Sequence, residues 1–430
     1  MIDGKTANEI FDSIRQHVTT GTLAAGETLP PVRELATELN VNRNTVAAAY
    51  KRLVTSGLAQ SLGRNGTVIK GIAAPAALEG GNPNTPLIDL SGGNPAPSRL
   101  PDLSSYFAKI NKNPRLYGDA AVSPGLKVWA SQWMQDAMPG KGEIDITSGA
   151  IDAIERLLCA HLLPGDSVVV EDPCFLSSIN MLRYTGFSAS PANIDHEGML
   201  PDQLELALQK GARAVILTPR AHNPTGCSLS ASRAAQLQEI LARYPQTLVI
   251  VDDHFALLSA CHWYPVIAKE TTHWAIVRSM SKTLGPDLRL AIVASDPLTS
   301  GKLRLRLNSG SQWVSHLLQD LACACLSDET YQHTLAQTQQ FYAAQQHKLT
   351  AALRRHGIEL PVGDGLNMWL PLEDNSQAIA FALAKSGWLV REGEVFGVNT
   401  PAHGLRITLS TLTDSDIDKL AADIHQALKR

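Results

Sequence analysis

Beyond residue 160 the chain repeats a pattern that few folds accommodate. Short apolar runs recur at SVVV (167–170), AVILT (214–218), TLVIVDD (247–253), WAIVRS (274–279) and LAIVAS (290–295), with helical periodicity between several of them. Runs this apolar have no wet face, so as strands they need cover on both sides. Strands alternating with helices predict an α/β sheet with its active groups at strand ends and in the loops that follow. From about residue 330 to 430 helix, strand and helix patterns return, which predicts a smaller C-terminal subdomain.

The first 70 residues follow a different pattern. TANEIFDSIRQHVTTG places Ile10, Phe11, Ile14 and Val18 on one helical face, and PPVRELATELN continues with Leu35, Ala36 and Leu39. Pro31 suits a first helical turn. In VNRNTVAAAYKRLVTSG, Asn42 is the expected N-cap, Val46, Tyr50 and Leu53 form the inner stripe, and Gly57 is the expected stop. The very short connection at Asn40–Val41–Asn42 makes the last two helices a helix-turn-helix. LAQSLGRNGTVIK then alternates and turns at GRNG, a hairpin signal. The expectation is a winged helix-turn-helix over residues 1–70. GIAAPAALEGGNPNTP, residues 71–86, lacks periodicity and is expected to be a linker to a body spanning 87–430.

Charge is divided in the same way. Residues 1–70 hold eight Lys/Arg and six Asp/Glu, so of the net −4 the head carries +2 and the remainder −6. A mildly basic head on an acidic body fits one small domain that meets phosphates and a large one that does not. Arg43, Asn44 and Thr45 open the third helix, the end that enters the major groove in such motifs; Arg43 can read guanine and Asn44 adenine. Arg33, Lys51, Arg52 and Arg64 are better placed for phosphates.

The body carries the parts of an aldehyde-cofactor site. SMSKTLGPDLRL sets Lys282 behind two serines, and a lysine can form a Schiff base where its pKa falls. ITSGAIDAI ends a strand and opens a helix at Ser148-Gly149-Ala150, where free N–H groups can take a phosphate, with Ser279 and Arg289 completing the cradle. EDPCF puts Phe175 after a strand, able to stack on a ring. HNPTG offers Asn223, and VDDHF places Asp252 at the end of the most apolar strand, where a carboxylate can pair with a pyridine nitrogen. Asn223, Asp252 and Lys282 follow at intervals of 29 and 30 residues. That spacing predicts one strand–helix–strand unit each, with all three side chains at one sheet edge. His222 and His254 complete no metal-ligand spacing, so no metal is expected.

Both halves resemble known families. Residues 21–67 are similar to the GntR-type winged helix almost residue for residue, which implies Arg33, Arg43, Asn44, Thr45 and wing residues Arg64 to Thr67 at DNA. The body resembles the fold-type I pyridoxal 5′-phosphate (PLP)-dependent aminotransferases. That resemblance implies Lys282 as the internal Schiff base, Asp252 at the pyridine nitrogen, Asn223 at the ring oxygen, and Gly149, Ala150, Ser279 and Arg289 around the phosphate. It further implies that Tyr117 reaches a phosphate across a dimer interface, and that Arg406, in GLRITLS, holds a substrate carboxylate. A GntR-type head on such a body is the architecture of the MocR regulators, and within them the chain resembles the type linked with vitamin B6 metabolism. The resemblance implies a head-to-tail homodimer and an operator with paired half-sites.

The chain departs from the aminotransferase pattern in two places. His254 stands where a tyrosine is common, and its charge is expected to vary near neutral pH. Ala150 and Ile151 replace hydroxyl and amide side chains. Both changes weaken catalysis more than binding. The expected function is therefore a repressor that binds PLP reversibly as its effector rather than an enzyme; an aminotransferase with an accessory DNA-binding head is the alternative. The six cysteines show no CxxC spacing, the N-terminus does not resemble a signal peptide, and no apolar run spans a membrane, so a cytoplasmic protein with reduced thiols is expected.

Overall fold

The computed structural model describes residues 2–61, 63, 66–69, 78–82, 84–111 and 113–429. They form two compact units, one of the described residues up to Ile69 with Leu162–Asp166 and Asn180–Ser188, and the other of those in Leu78–His161, Ser167–Ile179 and from Ala189 onward. The expected linker 71–86 is thus partly described: residues 71–77 lie outside the described residues, and Leu78 onward belongs with the body.

The head contains α1 (Ala7–Thr19), α2 (Val32–Glu38), α3 (Arg43–Thr55), β1 (Ala59–Ser61) and β2 (Thr67–Ile69). Thr6 and Glu9 form a capping box on α1. Pro31 is the N-cap of α2 rather than a residue of its first turn. Asn42 caps α3, its side chain accepting from Asn44 N–H at 2.8 Å. The turn between α2 and α3 needs a left-handed residue, supplied by Asn40 at φ 52°. Ile10, Ile14, Leu35, Val46 and Leu53 meet in one core, and the buried Tyr50 hydroxyl donates to Pro30 O at 2.7 Å. β1 and β2 pair antiparallel, Ala59 opposite Ile69, as the wing.

The body opens with β3 (Ile88–Asp89), α4 (Pro124–Met134), β4 (Glu143–Thr147) and α5 (Ala150–His161). Its further strands are β5 (Ser167–Asp172), β6 (Ser188–Asp195), β7 (Gly198–Met199), β8 (Ala214–Leu217), β9 (Leu248–Asp252), β10 (His273–Ser279), β11 (Ala291–Ser295), β12 (Asn367–Pro371), β13 (Trp388–Leu389), β14 (Arg391–Glu392) and β15 (Gly404–Thr408). The main sheet runs β4-β11-β10-β9-β8-β5-β6-β7. Its centre, β5-β8-β9-β10, is parallel, while β11 and β4 join antiparallel at one side. β8 and β9 are joined through the helix Ala231–Ala242, as the spacing predicts. The connection from Asp253 to Thr272 contains no helix, so the second interval is not a strand–helix–strand unit. Asp252 and Val277 are nonetheless register partners, which brings the strand ends together.

The helix Glu329–Arg355 joins two cores. Its first half gives Tyr331, Leu335 and Tyr342 to the main core, and its last turns give Leu349, Ala352 and Leu353 to the smaller one. That smaller core lies against the sheet β12-β15-β14, with β15 in the middle and fully buried.

Candidate functional site

A cavity of about 300 Å³ lies in the body at the ends of the central strands. Lys282, Asp252, Asn223, His254, Phe175, Ala150, Ser279 and Arg289, drawn from segments 139 residues apart at the extremes, line it together. Its volume is at the lower end of small-ligand sites.

Two groups dominate its chemistry. Asp252 is buried at the end of β9, and its Oδ1 has no hydrogen-bond partner. Burial, with the neighbouring Asp253 adding to it, pushes the Asp252 carboxyl up to about 7. An orphaned carboxylate in a cavity is costly unless a donor arrives there. Lys282 donates from Nζ to Gly93 O at 2.5 Å. Burial brings its ammonium down to about 8, so a useful fraction of free amine exists near neutral pH.

His254 is half-buried, and desolvation together with the nearby Lys282 lowers it to about 4. Its expected charge change near neutrality is therefore overturned: the ring is neutral throughout the physiological range. Beneath it, Asp253 accepts from Arg220 (3.1 and 2.7 Å) and Arg278 (2.9 Å), and Arg278 stacks on Trp133 at 4.5 Å. These bonds fix the loop that begins with Asp252.

At the other end, α5 presents the N–H groups of Ala150 and Ile151, which lack intrahelical acceptors by position. Arg289, left-handed at φ 48°, lies against Gly149. Gly149 has φ 99°, which L side chains rarely adopt, and a Cβ there would stand 2.5 Å from Arg289 Nη2 and push the guanidinium aside. Ser279 Oγ donates to Ser281 Oγ at 3.0 Å. Gly149 itself is behind the lining rather than in it.

Arg406 lies in mid-strand on β15 with no exposed surface. Nη1 donates to Asn223 Oδ1 at 2.9 Å and to both oxygens of Glu79 at 2.8 Å, and Nη2 donates to Ser91 O at 2.6 Å. Phe396 lies 4.9 Å from the guanidinium. Tyr117 is 85% exposed, packs edge-on against Trp313 and does not line the cavity of its own chain.

In the head, Arg43 and Asn44 are exposed at the start of α3 and Thr45 is half-buried beside them. Arg33 is exposed on α2, and Thr67 opens β2. Arg64 lies outside the described residues. Arg52 donates to Asn8 and stacks on Phe11 at 4.7 Å, so it braces α3 against α1.

Comparison with known proteins agrees with this division. Residues 6–69 match the gntR family of bacterial regulatory proteins, and residues 85–424 match aminotransferase class I and II. The chain is 75% identical over 430 residues, the whole of both proteins, to the vitamin B6 salvage pathway transcriptional repressor PtsJ of Salmonella typhimurium. It is 24% identical to the probable rhizopine catabolism regulatory protein MocR of Rhizobium meliloti, covering 85% of this chain and 79% of that one. The chain belongs to the MocR-type regulators. The body of this MocR-type regulator superposes on a multiple substrate aminotransferase from Thermococcus profundus with a TM-score of 0.70 at 22% identity, over 81% of this chain and 93% of that one, a likeness of fold.

Several lining residues of the MocR-type regulator escape sequence reasoning. Ser281 stands beside a motif already recognisable. Thr218 closes the AVILT run, and its N–H donates to the buried Glu171, whose carboxyl burial pushes up to about 8. Gly92, Gly93, Asn94 and Glu79 carry no local signal at all; they reach the cavity through tertiary contacts. Among the described residues, no group of three or more His, Cys, Asp and Glu could hold a metal, and no helix is long and apolar enough to cross a membrane.

Proposed function

We propose that this protein is a cytoplasmic transcriptional repressor of vitamin B6-related genes whose body binds PLP as its effector. The observation that carries the reading is the partnerless, buried Asp252 carboxylate in the same cavity as the partly deprotonated Lys282. PLP, when bound, supplies an aldehyde that condenses with a primary amine, releasing water, and a pyridine ring whose nitrogen can carry a proton.

Asp252 would hold that nitrogen through a charge-assisted bond, which supplies the donor its Oδ1 lacks. Lys282 would supply the amine. Asn223, fixed by Arg406, and the neutral His254 would face the ring oxygen, and Phe175 would cover one ring face. The N–H groups of Ala150 and Ile151, the hydroxyls of Ser279 and Ser281, and Arg289 supported by Gly149 would take the phosphate. Tyr117, exposed and off its own cavity, would reach a phosphate in a head-to-tail homodimer. In the head, Arg43, Asn44 and Thr45 would read base edges, while Arg33, Arg64 and Thr67 would contact the backbone of a double-stranded operator.

The 75% identical Salmonella protein, named as a vitamin B6 salvage repressor, supports both the B6 link and a regulatory rather than enzymatic role. A titration of the purified chain with PLP tests the reading, following the near-visible absorption band and operator affinity together, beside Lys282→Ala. The expected result is a band absent from the variant and an operator affinity that changes along the same titration. Sustained transamination with a keto acid acceptor would instead make the chain an aminotransferase with a DNA-binding head.

A further inference from the structure

We propose that Glu79 is the resident carboxylate ligand of Arg406, a latch that closes the amino-acid subsite of the cavity to free carboxylates. The inference rests on the reading of the cavity as a PLP site but concerns a different part of it. Glu79 lies 327 residues from Arg406 in sequence, yet both its oxygens accept from Nη1 at 2.8 Å. This is the guanidinium that the resemblance to aminotransferases gives to a substrate carboxylate. Here the chain's own side chain takes that position.

The segment bearing Glu79 is built to stay there. Arg391, the register neighbour of Arg406 on β14, donates to Leu78 O on one side of Glu79. Asp89 accepts from Asn82 N–H at 2.6 Å on the other. Between these anchors Gly81 lies so close to Gly92 that a Cβ on Gly92 would stand 2.9 Å from Gly81 N. Gly93, at φ 62°, would set a Cβ 3.2 Å from Glu79 Oε2 and 3.3 Å from Arg406 Nη2. Two glycines thus let the strap lie flat and let the ion pair close beside Lys282, which bonds to the same Gly93.

The consequence is a choice of ligand class. Arg406 spends Nη1 on Glu79 and Asn223 and Nη2 on Ser91 O, and its remaining Nε, without a partner, is sealed from solvent, so a second carboxylate can pair with the guanidinium only by displacing Glu79. A diffusing competitor faces an effective concentration in the millimolar range even for a flexible tether, and this one is pinned at both ends. Carboxylate-free aldehydes and amines of the B6 type enter without displacing Glu79; α-amino acids must replace it. Glu79 also follows Ile69, the last residue of the wing, by ten positions. A carboxylate that did win Arg406 would therefore unfasten the segment through which the body connects to the head.

The test uses the full chain and two variants, Glu79→Ala and Glu79→Gln, the second keeping the size and polarity of the side chain. The cofactor-free proteins are melted with and without maleate, a dicarboxylate with no amine. The latch predicts no shift for wild type at millimolar maleate and a concentration-dependent rise in Tm for both variants. Equal shifts in wild type and variants would overturn it, as would folded variants that ignore maleate. Should Glu79→Ala fail to fold, Glu79→Gln carries the comparison. A second arm loads the proteins with PLP, adds L-alanine or ethylamine, and follows the fraction of cofactor that borohydride no longer fixes covalently to the chain, because an incoming amine takes the C=N bond from Lys282 Nζ. In the variants L-alanine should become at least about tenfold more effective, with ethylamine unchanged, since tenfold corresponds to about 1.4 kcal/mol. An unchanged ratio of the two amines counts against the latch. Absence of any covalently fixed cofactor before an amine is added would defeat the cofactor reading while the maleate comparison still judges Glu79.

Discussion

Asp252 and Asp253 are consecutive and both buried, but Asp253 takes three bonds from two guanidinium groups while Asp252 Oδ1 takes none. Alternation along an extended strand end turns them to opposite sides, one to the protein's own arginines and one to the cavity. Asp252→Asn should therefore weaken PLP binding by about 10–100-fold, the scale of about 1.5–3 kcal/mol for a hydrogen bond to a charged group. The fold should be left intact. Asp253→Asn should instead lower the melting temperature, because removing one partner of a buried ionic cluster costs about 3–5 kcal/mol. Spectrophotometric titration and thermal melts of both variants check the contrast.

The same burial sets a pH dependence. Asp252 is raised from 3.8 to about 7 and Glu171 from 4.5 to about 8. The folded chain thus binds more protons than the unfolded one through this range, and stability falls as pH rises through it. His222, lowered to about 3, and His254, lowered to about 4, act oppositely mainly below the unfolded histidine value of 6.5, and Lys282, lowered from 10.5 to about 8, acts oppositely from near pH 8 upward, so between these limits the two carboxyl groups prevail. Between pH 6.5 and 8 the cofactor-free protein should therefore lose a few degrees of Tm. Asp252→Asn should flatten part of that slope, and PLP should flatten it further. A slope of the opposite sign would mean that Asp252 is ionised and paired in the free protein.

Lys282, lowered to about 8, reacts as the neutral amine. From pH 6.5 to 8 the neutral fraction grows by about 16-fold. The rate at which the near-visible band appears on mixing with PLP should climb by a similar factor and level off above pH 8. Stopped-flow absorbance across that range reads it, and a flat profile would remove the amine from the rate-determining step.

In the head, Arg43→Ala should cost about 1–3 kcal/mol of operator affinity and relax preference at one base position. Arg33→Ala should weaken all sequences alike and reduce the salt slope of binding by about one. Fluorescence anisotropy on matched and scrambled duplexes at several salt concentrations separates the two.

Tyr117 offers a test of assembly. Sedimentation should report about twice the 46.3 kDa of one chain. Tyr117→Ala, although the residue is exposed and off its own cavity, should weaken PLP binding. A monomer that binds PLP with full affinity would exclude a contribution across an interface.

Much of the architecture could be read without coordinates because its determinants are local. The stripe Val46, Tyr50 and Leu53, the cap at Asn42 and the glycine-bearing turn of the wing each depend on residues within a few positions. The apolar runs of β5, β8, β9, β10 and β11 announce themselves because a strand buried on both faces must be apolar throughout. Spacing misled where length was taken for structure: 30 residues separate Asp252 from Lys282, but the connection from Asp253 to Thr272 is irregular.

The sequence by itself determined the elements, the two families they resemble, and the residue types at the strand ends. Short-range periodicity, capping and motif order are written along the chain. Tertiary structure alone decided protonation and partnership. His254 is neutral, Lys282 is near 8 and Asp252 near 7 because burial and neighbouring charge come from segments remote in sequence. Glu79 is unremarkable in a glycine- and proline-rich stretch, and acquires its role when β15 brings Arg406 against it. An electrostatic environment is a sum over neighbours in space, and periodicity along a chain does not encode which neighbours those will be.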